Sequence, residues 1–339
     1  MSIVLVTGGT GFVGSHLVAE LLKQDCKVRT TVRDLDRRSL LAATLERSGV
    51  TNRQNLEIYA ADLESDAGWA TAIDGCEFVH HVASPFPSDP PRDENVIIRP
   101  AVEGTKRVLR FSRMMGVRRV VMTSSFVAVG FGHPPSNGRE FTEADWTDIS
   151  VPLPPYIKGK TLAEQAAWKF IREEGSGMEF TTIIPAGIFG PVLGTDYAAS
   201  IMLIKLMLDG KMPGLPRIYF GVVDVRDVVD IHLRAMTNPR AAGERFIAVS
   251  GAPMSMLQVA QTIRARLGTA AKKVPRKQLP DWLMRIAAFF NPKAKQVLPL
   301  LGKCPASSNQ KARTVLGWSP RLGEEAVIAS AESLLKLTG

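Results

Sequence analysis

Residues 6–14 read VTGGTGFVG, and this stretch decides the fold. Just before it, Ile3-Val4-Leu5-Val6 is a continuous apolar run, as expected of a strand buried on both faces. Just after it, residues 12–22 carry apolar side chains at helical spacing. Gly8, Gly11 and Gly14 therefore sit between a strand and the opening of a helix. Their spacing is three and three, so the run departs from the G-x-G-x-x-G form. The physical logic is unchanged. Gly8 permits the tight turn, Gly11 lets the backbone approach a pyrophosphate, and Gly14 lets the helix pack on the sheet. The helix N-terminus adds unpaired N–H groups and the positive end of a dipole. A glycine triplet alone could be a steric turn, but the strand and helix around this one predict a dinucleotide site.

The alternation continues along the chain. Residues 28–32, 56–60, 77–82 and 119–123 read as strands, and 95–115 as a long helix. Then come a helix from Tyr156, a strand at 180–184, helices at 199–208 and from Val225, a strand at 245–249 and a helix from Ser255. This predicts an α/β fold, a doubly wound parallel sheet of Rossmann type with helices on both faces. Residues 1–184 read as mainly the dinucleotide-binding core. Residues 185–339 read as mainly a smaller C-terminal substrate lobe, with 223–250 returning to the core.

Composition narrows the class. With 45% apolar and 22% charged residues, the chain is ordinary for a globular protein. The excess of 42 Lys and Arg over 33 Asp and Glu gives +9, and the basic residues look scattered, with no arm for nucleic acid. Cys26, Cys76 and Cys304 have no metal or redox spacing, which suits reduced residues of a cytoplasmic protein. The sequence enters a strand at once, so no signal peptide is expected. The apolar stretch 282–301 is interrupted by Arg285, Lys293 and Lys295, so no membrane partner is expected either.

The end of the second strand indicates which dinucleotide. An NAD site usually presents an acid there to the ribose diol. Here the sequence is Thr31-Val32-Arg33-Asp34, with Arg37 and Arg38 behind. Arg33 can pair with a 2′-phosphate and stack on adenine, which favours NADP(H). Asp34 could still be the diol ligand. Asp62-Leu63, after the third strand, suits either an adenine-side contact or a helix cap.

PPYIKGK, residues 154–160, opens the helix that follows. Leu162, Ala166, Phe170 and Ile171 form its apolar stripe, with Glu164, Lys169, Arg172 and Glu173 on the other side. Tyr156 sits in the first turn and Lys160 one turn on, on the same face. A free phenol has a pKa near roughly 10. The ammonium and the helix N-terminus could lower it, and a tuned phenol beside a hydride carrier can protonate a carbonyl oxygen. TSSF, residues 123–126, puts Ser124 and Ser125 at a strand end, where ligands of open parallel sheets sit.

Together TGGTGFVG, TSSF and YIKGK resemble the extended short-chain dehydrogenase/reductase superfamily, over nearly the whole chain. TTVRD (30–34), HVASPF (81–86), IIRPAVEGT (97–105), PAGIFGP (185–191), VDVRDVVDIH (223–232) and KARTVLGWSPR (311–321) resemble its dihydroflavonol reductase, cinnamoyl-CoA reductase and bacterial aldehyde reductase branch. The resemblance implies that Tyr156 is the general acid, that Lys160 lowers its pKa and binds the nicotinamide ribose, and that Ser125 polarises the carbonyl, with Ser124 as a fallback. It implies cofactor contacts from Gly8, Thr10, Gly11, Phe12, Val13, Gly14, Arg33, Asp62, Leu63, Val82, Ala83, Ser84 and Ser124, and from Pro185, Ala186, Gly187 and Ile188 beside the nicotinamide. Asp224, Arg226 and Asp227 resemble a motif that joins the substrate lobe to the core, and His80 and His81 read as sheltering backbone. Sugar-nucleotide enzymes of the superfamily usually carry a tyrosine where this chain has Val129, and an asparagine where it has Pro100 or Ala101. Both departures favour a reductase.

A pocket of Ser84, Phe86, Phe126, Val127, Phe189, Tyr197, Met202 and Tyr219 suits a small aromatic or aliphatic aldehyde or ketone, though each could be ordinary core. Phe289 and Phe290 could close that pocket or pack the C-terminal lobe. The expected protein is an NADPH-dependent carbonyl reductase, monomeric or a homodimer. The alternatives are an NAD-dependent hydroxysteroid- or sterol-type dehydrogenase and a non-catalytic NADP-sensing protein.

Overall fold

The computed structural model describes residues 2–85, 93–134, 139–290 and 292–338. The strands in chain order are β1 (Ile3–Val6), β2 (Lys27–Val32), β3 (Leu56–Ala60), β4 (Phe78–His81), β5 (Arg119–Thr123), β6 (Glu179–Pro185), β7 (Gly187–Phe189), β8 (Tyr219–Phe220), β9 (Val222–Asp224), β10 (Arg245–Ala248) and β11 (Met254–Ser255). Seven of them form one parallel sheet in the order β3-β2-β1-β4-β5-β6-β10. The chain winds outward from β1 to β3 on one side and from β4 to β10 on the other. The direction reverses between β1 and β4, where Val6 pairs with His80.

The helices are α1 (Phe12–Lys23), α2 (Arg38–Arg47), α3 (Trp69–Ile73), α4 (Asn95–Met114), α5 (Pro155–Glu174), α6 (Ala199–Leu208), α7 (Val225–Thr237), α8 (Met256–Leu267), α9 (Asp281–Phe290), α10 (Pro292–Val297), α11 (Gln310–Leu316) and α12 (Gly323–Thr338). Leu17 and Leu21 of α1 and Val228 and Ile231 of α7 cover one face of the sheet. Val108 and Leu109 of α4 and Ala163, Ala167 and Phe170 of α5 cover the other. Burial from both sides explains why β4 and β5 are buried at every position, the charged Arg119 included.

The C-terminal lobe has its own core, built from Ile201 and Ile204 of α6, Val259 and Ile263 of α8, and Val327 and Leu334 of α12. Two small strand pairs support it, β7–β9 and β8–β11. Side chains tie it to the sheet. Asp224 caps α7 by accepting from the Arg226 N–H at 2.8 Å, and its carboxylate also holds the Arg226 guanidinium. Asp227 pairs with Arg321 and accepts the Arg321 N–H at 2.8 Å. Only the Asp227–Arg321 contacts reach across the chain, over 94 positions; the Asp224–Arg226 contacts are local to the start of α7.

Phe289 and Phe290 are each 86% exposed, so they neither cover a pocket nor pack the lobe as the sequence suggested. Only Met284 of α9 is buried. An aromatic residue type gives no signal about which face of a short helix meets the core.

Candidate active site

The reversal between β1 and β4 opens a crevice at the carboxyl ends of the strands, where open parallel sheets bind ligands. Gly8 follows β1 with φ +72°, in the left-handed region that favours glycine. A Cβ there would lie 3.1 Å from Ala83, which follows β4. A Cβ on Gly14 would lie 2.3 Å from the Gly8 carbonyl oxygen. The loop and the helix therefore fit together only as glycine. Gly11 caps α1 in extended backbone with no side-chain cap, and the first turn carries no acid. No side chain therefore competes for the N–H groups there. Thr10 and Phe12 are half-buried beside it and Val13 is buried.

Thr7, which the sequence did not single out, fixes this junction. Its hydroxyl oxygen accepts the N–H groups of Val82 at 3.0 Å and Ala83 at 2.9 Å. With both acceptor positions filled, its proton goes to His81 Nδ1 at 3.0 Å. His81 is thus a neutral Nε2–H tautomer, in line with burial pushing its pKa down to about 3. His80 meets His232 Nδ1 at 3.2 Å, and burial also pushes it to about 3. Both histidines pin elements together through their side chains, a more specific part than sheltering backbone.

On the adenosine side, Asp34 accepts the Asp36 N–H at 2.9 Å and caps a short turn. Arg37 reaches across to Asp196 at 2.6 Å. Arg33 stays exposed at the end of β2. Asp62 accepts the Glu64 N–H at 2.9 Å, so it closes a turn ahead of α3 without capping that helix directly. Leu63 packs against the bare backbone of Gly104. Val82, Ala83 and Ser84 are half-buried along the crevice, as are Ala186, Gly187 and Ile188 beyond the buried Pro185. Hydrogen bonds from Ala186 N to Ala248 O and from Gly187 N to Gly221 O hold that last segment in place.

Pro154 and Pro155 end the preceding loop and start α5, because proline is tolerated where helix N–H groups have no partner. Tyr156 then occupies the first turn, and its hydroxyl hydrogen-bonds the Ser125 side chain. Burial is the larger influence on the phenol and raises its pKa, while the Ser125 bond works the other way. The sequence had suggested a lowered value. Lys160, one turn on, donates to the Thr123 carbonyl at 3.3 Å. Burial lowers its pKa to about 8, opposed by the charge of Glu164.

Ser124 is engaged by Glu164. Its hydroxyl donates to Glu164 Oε2 at 2.5 Å, so Ser125 alone of the pair joins the tyrosine. Glu164 itself corrects the sequence reading, which put it on the polar side of the helix. Its side chain is fully buried. It accepts from Thr182 Oγ1 at 2.9 Å, Trp168 Nε1 at 3.3 Å and Arg245 Nε at 2.8 Å. The ion pair with Arg245 spans 81 positions, so no local spacing could reveal it.

Of the anticipated pocket residues, Phe86 lies outside the described residues. Phe189 is fully buried, stacked on Phe220 with ring centroids 5.9 Å apart. Phe126 is 6% exposed, edge-on to Phe131 and Phe141. These two rings belong to cores and do not offer a free surface. Ser84, Val127, Tyr197 and Tyr219 are half-buried, and Met202 is exposed.

A doubly wound sheet whose crevice brings a phosphate-ready turn together with a bonded serine and tyrosine defines a Rossmann-type oxidoreductase. The chain belongs to the NAD dependent epimerase/dehydratase family, whose model matches residues 4–249. An anthocyanidin reductase ((2S)-flavan-3-ol-forming) of Vitis vinifera is 34% identical over 310 residues, 86% of each chain. The ketoreductase azaE of Aspergillus niger is 33% identical over 317 residues, 87% of this chain and 91% of its own. Among solved structures, yeast methylglyoxal/isovaleraldehyde reductase Gre2 complexed with NADPH superimposes with a TM-score of 0.81. It is 25% identical, and the match covers 99% of this chain and 98% of that one.

Proposed function

We propose that the protein is an NADPH-dependent carbonyl reductase acting on a small, mostly apolar or aromatic aldehyde or ketone. The observation that carries the reading is the hydrogen bond between Ser125 and Tyr156 at the mouth of the crevice, with Lys160 one turn behind. Reductases among the relatives, and NADPH in the yeast Gre2 structure, support it.

The site suits the cofactor. The cradle at Gly8 and Gly14 would be filled by any Cβ, and the α1 N-terminus has no side chain competing for its N–H groups. Gly11 and its neighbours would take the pyrophosphate, Arg33 the 2′-phosphate and Lys160 the nicotinamide ribose. When bound, NADPH supplies the hydride. Ser125 would hold the substrate carbonyl oxygen against Tyr156, and Tyr156 would give that oxygen its proton. A phenol raised by burial is fully protonated at neutral pH, which is the state an acid needs for reduction. Water or bulk buffer returns the proton afterwards.

The test is loss of reduced-nicotinamide absorbance with a panel of aldehydes and ketones, run once with NADPH and once with NADH. Turnover of an aromatic or aliphatic carbonyl with NADPH is the expected result. No turnover with any carbonyl, but NAD reduction with sterols or secondary alcohols, would replace the reading by a dehydrogenase.

Arg33→Ala is expected to weaken NADPH by roughly 10- to 100-fold, the worth of one or two charge-assisted hydrogen bonds, and to leave NADH nearly unchanged. Titration of both cofactors by fluorescence checks this, and equal losses would remove Arg33 from the phosphate site.

A second expectation concerns pH. Reduction needs Lys160 charged, and its folded pKa is lowered to about 8. The ammonium is therefore present below that value and lost above it, so kcat/KM for reduction should fall as pH rises through about 8. Lys160→Arg should remove this limb in a pH–rate profile even if its maximum rate is lower, because a guanidinium stays charged.

A further inference from the structure

The formal charge is unevenly spread along the chain. Residues 272–303 hold eight Lys and Arg against one acid, Asp281, and so carry +7 of the chain's +9. Asp281 is already engaged by Arg217, at 2.6 Å. Lys272, Lys273, Arg276, Lys277, Arg285, Lys295 and Lys303 are all exposed.

The same segment presents the largest exposed apolar side chains among the described residues. Trp282, Ile286, Phe289 and Phe290 are 62%, 48%, 86% and 86% exposed. Their positions along α9, at i, i+4, i+7 and i+8, put them on one stripe of the helix. Contiguous exposed apolar surface of this kind marks an interaction site.

The segment is also held as a projection. Leu279 N donates to Leu215 O at 2.7 Å before α9, and Gly302 N donates to Arg217 O at 2.7 Å after α10. Both ends of the excursion are thus tied within three residues of one another, and α9 contributes only Met284 to the buried interior.

We propose that α9 and its basic surroundings dock the protein on an anionic lipid surface. A helix with Trp and Phe on one face, flanked by Lys and Arg, has the composition of one lying in a bilayer interface. The clustered charge selects acidic headgroups as the partner, because it would be attracted by them and indifferent to zwitterionic ones. No helix among the described residues is long and apolar enough to cross a membrane, so the association is with the surface. The inference goes beyond the reductase reading and does not depend on it.

The experiment is co-sedimentation of the full chain with vesicles of phosphatidylcholine alone and of an equal mixture of phosphatidylcholine and phosphatidylglycerol. The expected result is binding to the mixed vesicles only, weakened by added salt. Phe289→Ser with Phe290→Ser should lower that binding by at least about tenfold while thermal unfolding is unchanged, since neither ring is packed. Trp282 fluorescence should shift to the blue on binding, and Trp282→Phe should remove the shift. Failure to bind the mixed vesicles at low salt would overturn the proposal. So would undiminished binding by the serine variant, which would reduce the effect to bulk charge. Concentration-dependent self-association that the serine variant loses, without vesicle binding, would assign the face to a second copy of the chain instead.

Discussion

Tyr156→Phe lowers kcat by about 10²- to 10⁴-fold and leaves NADPH affinity within a factor of about three. The expectation follows from what the substitution removes. The ring stays, so the packing of the first turn of α5 is kept. The hydroxyl goes, and with it the proton donor that the Ser125 hydrogen bond positions. Ser125 can still bond a carbonyl oxygen, but its own proton is far less acidic than a phenol's. Water would have to complete the reduction without orientation. Cofactor affinity should survive, because the substitution leaves the glycine turn, Arg33 and Lys160 in place. Single-turnover rates and a fluorescence titration of NADPH separate the two effects. A variant that turns over at near-normal rate would take the acid role away from Tyr156. A variant that fails to bind NADPH would instead make the hydroxyl part of the cofactor site.

Tyr156 and Lys160 were legible in the sequence because they are one turn apart on one helix, and spacing carries that information. The glycine turn was legible for the same reason, since strand, loop and helix are contiguous. The main-sheet strands were readable from short apolar runs, because a sheet covered on both faces leaves little alternation to interpret. What the sequence hid is what depends on distant segments. Thr7 bonds His81 and two N–H groups after β4, more than seventy positions away. Glu164 looked like a solvent-facing helix residue, and segments distant in the chain, at the end of β5, in β6 and in β10, bury it. Phe126 and Phe189 looked like pocket, yet their neighbours are other rings of the core. Residue type cannot separate an aromatic that lines a cavity from one that fills it.

The Glu164–Arg245 pair carries the largest expected effect on stability. Arg245→Met should cost about 3–5 kcal/mol, because it leaves a buried carboxylate without its cation. The loss goes beyond the ion pair. The Arg245 guanidinium also donates to the Asp145 carbonyl at 3.0 Å and sits 3.7 Å over the Trp146 ring, so it clamps the loop ahead of α5 onto β10. Glu164→Gln should cost less, since the amide oxygen still accepts from Thr182 and Arg245 keeps its carbonyl and ring partners. Glu164→Leu together with Arg245→Met should be no worse than Arg245→Met alone, as removing both members leaves neither charge stranded. Denaturant unfolding of the three variants measures these differences. A loss below about 1 kcal/mol for Arg245→Met would mean that water reaches Glu164 and the pair is not sealed. The same residue touches the chemistry through charge. Glu164 opposes the lowering of the Lys160 pKa, so Glu164→Gln should move the falling limb of the pH–rate profile below about 8. A purely structural role would lower stability and leave that limb where it is.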